Sequence, residues 1–224
     1  LTDTQVSLLL GLAFALFYTT MGIPIGRLAD KKSRRAIIAA GISFWCLMTA
    51  ACGLAKNYTQ LFLARVGVGV GEATLSPSSL SMIGDYFPKE KRGKALGLFN
   101  IGVSVGSGIA FIIGGQIIAY VASRDNLILP IIGEIYPWQA LFIMVGLPGL
   151  IVAALMMTVK EPERREKIVL NNDVGDSTDE VSIKETVNFI LERKSAYGWL
   201  FLSMACSVLI GYAFLSWMPT MYDR

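Results

Sequence analysis

The chain has 224 residues, of which 54% are hydrophobic and only 17% charged, with a formal net charge of +3. A water-soluble domain of this length carries more charge and less apolar content, so the balance points to a membrane-embedded protein. Histidine is absent, which removes His-based acid–base chemistry, Ser-His-Asp triads and His-ligated metal sites.

The chain begins at Leu1 with polar residues and no basic stretch, so no secretory signal peptide is predicted, and the start reads as that of a piece of a longer protein. Val6–Gly26 and Ala36–Ala55 are uncharged runs of about 20 residues, the length a helix needs to cross a bilayer. Tyr58–Gly84 is equally apolar but carries Arg65 and Glu72. Ala95–Ala122, Trp138–Val159 and Ala196–Tyr222 complete six candidate spans. Between the last two lies Lys160–Ser195. Its first part, Glu161–Glu180, is polar and acidic like a flexible linker. Its second part, Ser182–Lys194, places Ile183, Val187, Ile190 and Leu191 on one helical stripe, with Ser182 and Glu185 spaced as a capping box. This predicts a short helix on the inner membrane face.

Basic residues set the orientation. Arg27–Arg35, Lys89–Lys94, Lys160–Lys167 and Lys184–Lys194 hold sixteen of the twenty, whereas Lys56, Arg124 and Arg224 fall on the opposite side and Arg65 lies within a span. By the positive-inside rule the sixteen mark the cytoplasmic side, which places Leu1 and Arg224 outside. The three cysteines, Cys46, Cys52 and Cys206, sit in apolar runs without metal-ligand spacing and are expected to be packing residues.

Arg65 and Glu72 are seven residues apart, nearly two helical turns, so they share a face about 10 Å apart along the axis. Ionisable groups at membrane depth cost at least about 2.5–3.5 kcal/mol and turn toward a bundle interior or wet cavity. The pair therefore marks a pathway for a charged substrate, a proton, or both. Gly67, Gly69 and Gly71 precede Glu72 and serve either close helix packing or room for a substrate beside the charges. Gly102-x-x-x-Gly106 is spaced as a helix-packing motif. Pro24, Pro77, Pro148 and Pro219 fall within spans and permit kinks; Pro77 would free the carbonyl of Ala73.

Gly26-Arg27-Leu28-Ala29-Asp30-Lys31-Lys32-Ser33-Arg34-Arg35 resembles the signature loop between the second and third helices of the major facilitator superfamily, with Ser33 in place of the usual glycine. The loop Asp85–Ala95 is also similar to that superfamily. The resemblance implies that Asp30, Arg34 and Asp85 form a cytoplasmic charge latch that closes the two halves in the outward-open state, made of partly exposed, breakable ion pairs. Gly11–Tyr18, Gly22-Ile23-Pro24, Ala64–Ala73, Val159-Lys160-Glu161-Pro162 and Trp217-Met218-Pro219-Thr220 further resemble the spinster branch, the lysolipid and sphingosine-phosphate transporters. That resemblance implies headgroup binding at Arg65 and proton coupling at Glu72. It also places the six spans as the second to seventh of twelve, with the first helix and its acidic partner for Arg65 absent.

The expected protein is thus an all-α polytopic membrane protein, a partial major-facilitator-type helical bundle. Residues 1–160 would form an N-terminal bundle lacking its first helix, 161–195 an inter-half linker with a short interfacial helix, and 196–224 the first helix of a C-terminal bundle. The expected function is proton-coupled secondary transport of an anionic or amphiphilic small molecule by alternating access. Arg65, Glu72, Gly69 and Ser76 would bind substrate and Glu72 would carry the proton. Its partners would be the lipid bilayer, substrate and protons, without cofactor, metal or nucleic acid, and the full-length protein would be a monomer in a cell membrane. A soluble organic-anion or sugar-acid permease of the same superfamily is an alternative, as is a non-transporting receptor or structural bundle. An enzyme is disfavoured because Ser76, Ser78, Ser79 and Ser81 have no histidine or intramembrane lysine to activate them.

Overall fold

Capping side chains start two of the central helices of this chain. The computed structural model describes residues 2–122, 127–129, 133–164 and 183–222. They fall in two units, Leu1–Ile168 and Val169–Arg224. In the first unit, α1 (Asp3–Leu10) leads into α2 (Leu12–Lys31), followed by α3 (Arg34–Gly53), α4 (Tyr58–Glu72), α5 (Leu75–Tyr86), α6 (Lys89–Ala122), α7 (Pro137–Gly146) and α8 (Gly149–Met156). The Ser33 hydroxyl accepts from the Ala36 amide at 3.3 Å to start α3, and the Asn57 side-chain Oδ1 accepts from the Gln60 amide at 2.9 Å to start α4. A small antiparallel ribbon, β1 (Leu127–Leu129) and β2 (Gly133–Ile135), pairs Leu127 with Ile135 between α6 and α7. No alternation in the sequence announced it.

Among the described residues, five helices or helix pairs are long and apolar enough to cross a membrane, rather than six. The missing one is Tyr58–Gly84, which is broken into α4 and α5 at Ala73–Thr74. There the Thr74 amide turns back to the Gly71 carbonyl at 3.2 Å and its hydroxyl donates to the same oxygen at 2.8 Å. Pro77, the third residue of α5, has no N–H to offer the Ala73 carbonyl, which removes one bond that would hold the helix together across this turn. The expected kink is therefore a full break immediately after Glu72. Pro148 marks a similar break between α7 and α8, whereas Pro24 is accommodated inside α2.

Helix α3 is the centre of this unit, packing against α4, α5, α7 and α8. Ile38, Ile42 and Cys46 join Met82 and Ala153 in one buried cluster, and Cys52 joins Ala64 and Val68 in another. Between helices in lipid, burial gains little over acyl chains, so close packing through small residues carries the association. The glycines of α4 show this. A Cβ on Gly67 would lie 2.6 Å from Met48, one on Gly71 2.8 Å from Trp45, and one on Gly69 2.7 Å from the Phe14 carbonyl oxygen. Of the two readings of this glycine run, close packing is the one the coordinates realise.

Gly102 and Gly106 behave differently, with nothing within 4 Å of a built Cβ in either case. Their spacing suits helix packing, but α6 presents them to open space, along with Leu98, Val103, Phe111 and Ile112. Exposed apolar surface on this scale suits lipid or further protein and not water.

In the second unit, α9 (Ile183–Glu192) precedes α10 (Lys194–Tyr222). Phe189 and Tyr197 meet edge to face at 6.3 Å, and the Arg193 guanidinium lies 3.9 Å from the Phe189 ring centroid. The short helix expected from the Ile183, Val187, Ile190 and Leu191 stripe is present; Ser182 and most of the 161–180 linker lie outside the described residues. Cys46 and Cys52 are core residues as expected, whereas Cys206 on α10 is exposed and packs into no core among the described residues.

Candidate functional site

Two places in the first unit concentrate polar groups on an otherwise apolar frame. One lies mid-bundle, where α2, α4 and α5 meet. Arg65 is half-buried near the middle of α4, and Glu72 is half-buried as its last residue. Among the described residues Arg65 makes no hydrogen bond or ion pair; its contact is with the Phe14 ring, whose centroid lies 5.9 Å from the guanidinium carbon. Glu72 also lacks a hydrogen bond among the described residues. It lies within Coulombic reach of Arg65, yet the two form no ion pair within 4.0 Å. The shared face read from their spacing is present, and the two charges stand apart rather than neutralising each other.

Ser76, at the start of α5, is half-buried and hydrogen-bonds the Tyr18 hydroxyl at 3.0 Å. Tyr18 in turn stacks on Phe14, with ring centroids 5.5 Å apart and planes 19° apart. Gly69 is buried against the Phe14 backbone, so it contributes a close approach between α2 and α4 rather than open space. Phe14 and Tyr18 did not stand out in the sequence as site residues. Their four-residue spacing on an otherwise apolar helix was the available signal.

The second place is the end of the unit bearing the basic loops. Arg34 is 1% exposed and Asp85 9% exposed, an exception to the rule that charges stay wet, and one that demands partners. Arg34 Nη1 bonds Asp85 Oδ2 and donates to Ser81 Oγ at 2.9 Å, Nη2 donates to the Pro162 carbonyl at 3.1 Å, and Nε donates to Glu161 Oε1 at 3.2 Å. Glu161 also caps the start of α3, accepting from the Ser33 hydroxyl at 2.6 Å and from the Arg34 and Arg35 amides at 2.9 Å each. A carboxylate at a helix N-terminus satisfies orphan N–H groups and the positive end of the dipole. Burial pushes the Glu161 carboxyl up, but the Ser33 hydroxyl, the Arg35 and Arg34 amides and the Arg34 side chain outweigh it and hold it at about 2.

The neighbouring backbone is tied in as well. The Tyr86 hydroxyl donates to the Lys160 carbonyl. Arg164 Nη2 donates to the Ala29 and Lys32 carbonyls at 2.7 and 2.9 Å, closing the end of α2. Lys160–Arg164 is thus a strap across the ends of α2, α3 and α5.

Of the three residues expected in the charge latch, Arg34 and Asp85 meet. Asp30 is exposed and makes no hydrogen bond or ion pair among the described residues. Glu161 takes the place expected of it. Arg34 and Asp85 are also buried rather than partly exposed, with Pro162 bonded over the Arg34 guanidinium.

The chain matches the Major Facilitator Superfamily over residues 1–224. It is similar to the protein named "Probable L-galactonate transporter" in Escherichia coli, 31% identical over 153 residues, which are 68% of this chain and 30% of that protein. It is similar to "Protein spinster homolog 1" of Xenopus laevis, 30% identical over 218 residues, 94% of this chain and 37% of that one. Among solved structures it resembles a bacterial homologue of the human lysosomal transporter spinster in an inward-facing, unoccupied conformation. That match has a TM-score of 0.65 at 33% identity and covers 85% of this chain and 42% of the other. The chain therefore spans less than half the length of these relatives. Its signature loop, its helical frame and the match along its whole length agree: the chain belongs to the major facilitator superfamily, a family of membrane transporters, and is similar to its spinster members.

Proposed function

We propose that the complete protein is a proton-coupled secondary transporter that moves an anionic or amphiphilic small molecule across a cell membrane by alternating access, as a monomer. One observation carries this reading: a half-buried guanidinium at mid-bundle has no anion of its own among the described residues, with a separate carboxylate on the same helix face. Arg65 stays charged and is able to hold a phosphate or carboxylate through two N–H groups. Glu72 is the group that binds and releases the proton. Gly69 and Ser76 belong to the same site, the first by letting α2 approach α4 and the second through Tyr18. The break after Glu72 supports this reading, since discontinuous helices are how membrane transporters build polar sites at the midplane.

The Arg34 cluster holds the basic ends of the helices together. Removing one partner of a buried, hydrogen-bonded ion pair costs about 3–5 kcal/mol, so this pair suits a permanent staple within its unit better than a bond broken in each cycle. The breakable part of the latch then falls to the exposed acid, Asp30. The relative named for L-galactonate favours a second reading of the same site, a permease for a soluble sugar acid, in which Arg65 again takes the carboxylate.

Flux into liposomes containing the full-length protein tests the site. Arg65→Ala is expected to weaken uptake of anionic substrates far more than of neutral analogues. Equal losses for both would contradict a role in binding the anion.

A further inference from the structure

The ribbon β1–β2 is apolar where a connection between two spans is ordinarily polar. From Leu127 to Tyr136 the only charged residue is Glu134. The ribbon joins α6 to α7 on the side opposite the basic loops, which is the outer side by the positive-inside rule. A segment so poor in charge needs an apolar surface to rest on. A two-stranded ribbon needs one twice over, since such a pair is marginally stable at best when it stands alone in water.

The register sorts its residues. Leu127 stands opposite Ile135, Leu129 opposite Gly133, and Ile128 opposite Glu134. Opposite residues share a face and successive residues alternate between faces. Leu127, Leu129 and Ile135 therefore fall on one face with Gly133, and Ile128 falls on the other with Glu134. The first face is wholly apolar, and the carboxylate belongs to the second.

The flanking helices set the depth. Ile117 of α6 packs with Ala140 and Ile143 of α7, so the two helices lie side by side next to the ribbon. Less than a turn farther out, α6 exposes Tyr120 and α7 exposes Trp138, whose ring meets Phe142 edge to face at 6.3 Å. Tyr136, the one residue between β2 and α7, is exposed as well. Exposed Tyr and Trp at the ends of membrane helices sit at headgroup level. The three aromatics flank the ribbon on both sides, and Ile135 is one residue from Tyr136, about 3.3 Å of extended chain.

We propose that β1–β2 is a membrane-docking ribbon. Its face of Leu127, Leu129 and Ile135 rests on the outer leaflet, where headgroups meet acyl chains, and its face of Ile128 and Glu134 is turned to water. The partner is a glycerophospholipid surface. Continuity favours lipid over protein in this place: the same two helices expose Ile118 and Met144, and the aromatics at headgroup level stand between that surface and the strands. The register also keeps the one carboxylate off the face that enters the lipid. Docked in this way, the ribbon ties the outer ends of α6 and α7 to the membrane surface.

Electron paramagnetic resonance of the full-length protein in phosphatidylcholine nanodiscs tests the proposal. A nitroxide is attached at Leu129→Cys or at Ile128→Cys, with Cys206 and any other exposed cysteine changed to Ser. Collisions with oxygen, which concentrates among acyl chains, are compared with collisions with a water-soluble nickel chelate. The ratio of oxygen to nickel collisions is expected to be severalfold higher at position 129 than at 128. Should either label fail to incorporate, Ile135→Cys repeats the first measurement and Glu134→Cys the second. Equal access of nickel to both faces would place the ribbon in water and overturn the proposal. Exclusion of both reagents from positions 129 and 135 would mean that protein covers the apolar face, and would overturn it equally.

Discussion

Glu161→Gln tests the strap most sharply, because the group's pH behaviour is tied to its hydrogen bonds. The carboxyl titrates at about 2 instead of its ordinary 4.5. That difference sets an upper bound of roughly 3 kcal/mol on the stabilisation of the ionised form. Its side chain is 27% exposed, and solvent screening brings the expected figure to about 1–2 kcal/mol. The sign follows from the direction: a carboxyl with a lowered folded-state pKa stabilises fully above 4.5, and the effect is lost as the pH falls from there through about 2. Unfolding of the full-length protein in detergent, followed by tryptophan fluorescence at several pH values, reads it. Glu161→Gln is expected to lower stability by about 1–2 kcal/mol at pH 7, with the gap to wild type closing between pH 4.5 and 2. A gap that stays constant over that range would mean that the loss is one of shape or packing and would refute the electrostatic account.

The remaining predictions use the same logic at other positions. Asp85→Asn is expected to destabilise the protein by about 3–5 kcal/mol by leaving Arg34 partly unpaired, while Asp30→Asn changes it by less than about 0.5 kcal/mol; chemical denaturation of the two variants side by side checks this. Gly69→Ala and Gly71→Ala are each expected to cost about 1–3 kcal/mol, since a methyl must push against the Phe14 carbonyl or the Trp45 backbone, and thermal melting reads the loss. Tyr18→Phe, which removes the hydroxyl bond to Ser76 but keeps the stack on Phe14, is expected to cost about 0.5–1.5 kcal/mol in the same assay.

Much of this frame was legible in the sequence because lipid leaves few options. Long apolar runs announce spans, and a charge inside one of them announces a polar interior. Arg65 and Glu72 were found in that way, and their placement on one face of α4 follows from helical spacing alone. What the sequence left hidden depends on tertiary proximity. Arg34 and Asp85 were paired by resemblance, but nothing local says that Glu161, some 127 residues along the chain, caps the same helix start that carries Arg34. An acid that follows a span reads as solvated until the strap folds back over α3. Asp30 shows the converse, being close in sequence to the cluster yet exposed on the last turn of α2. Local chemistry also decided the long charged span. Thr74 and Pro77 stand together at the break between α4 and α5, whereas Pro24 sits within α2 without one. Gly102-x-x-x-Gly106 has packing spacing without a packed neighbour, because spacing specifies a smooth surface and not what lies against it.

The claim on which the functional account stands is that Glu72 carries the coupling proton next to an anion held at Arg65. It is tested most directly by comparing two fluxes of Glu72→Gln in liposomes containing the full-length protein. The account predicts that uptake driven by a proton gradient is lost while exchange of substrate for substrate persists. Net uphill uptake surviving in Glu72→Gln would contradict it.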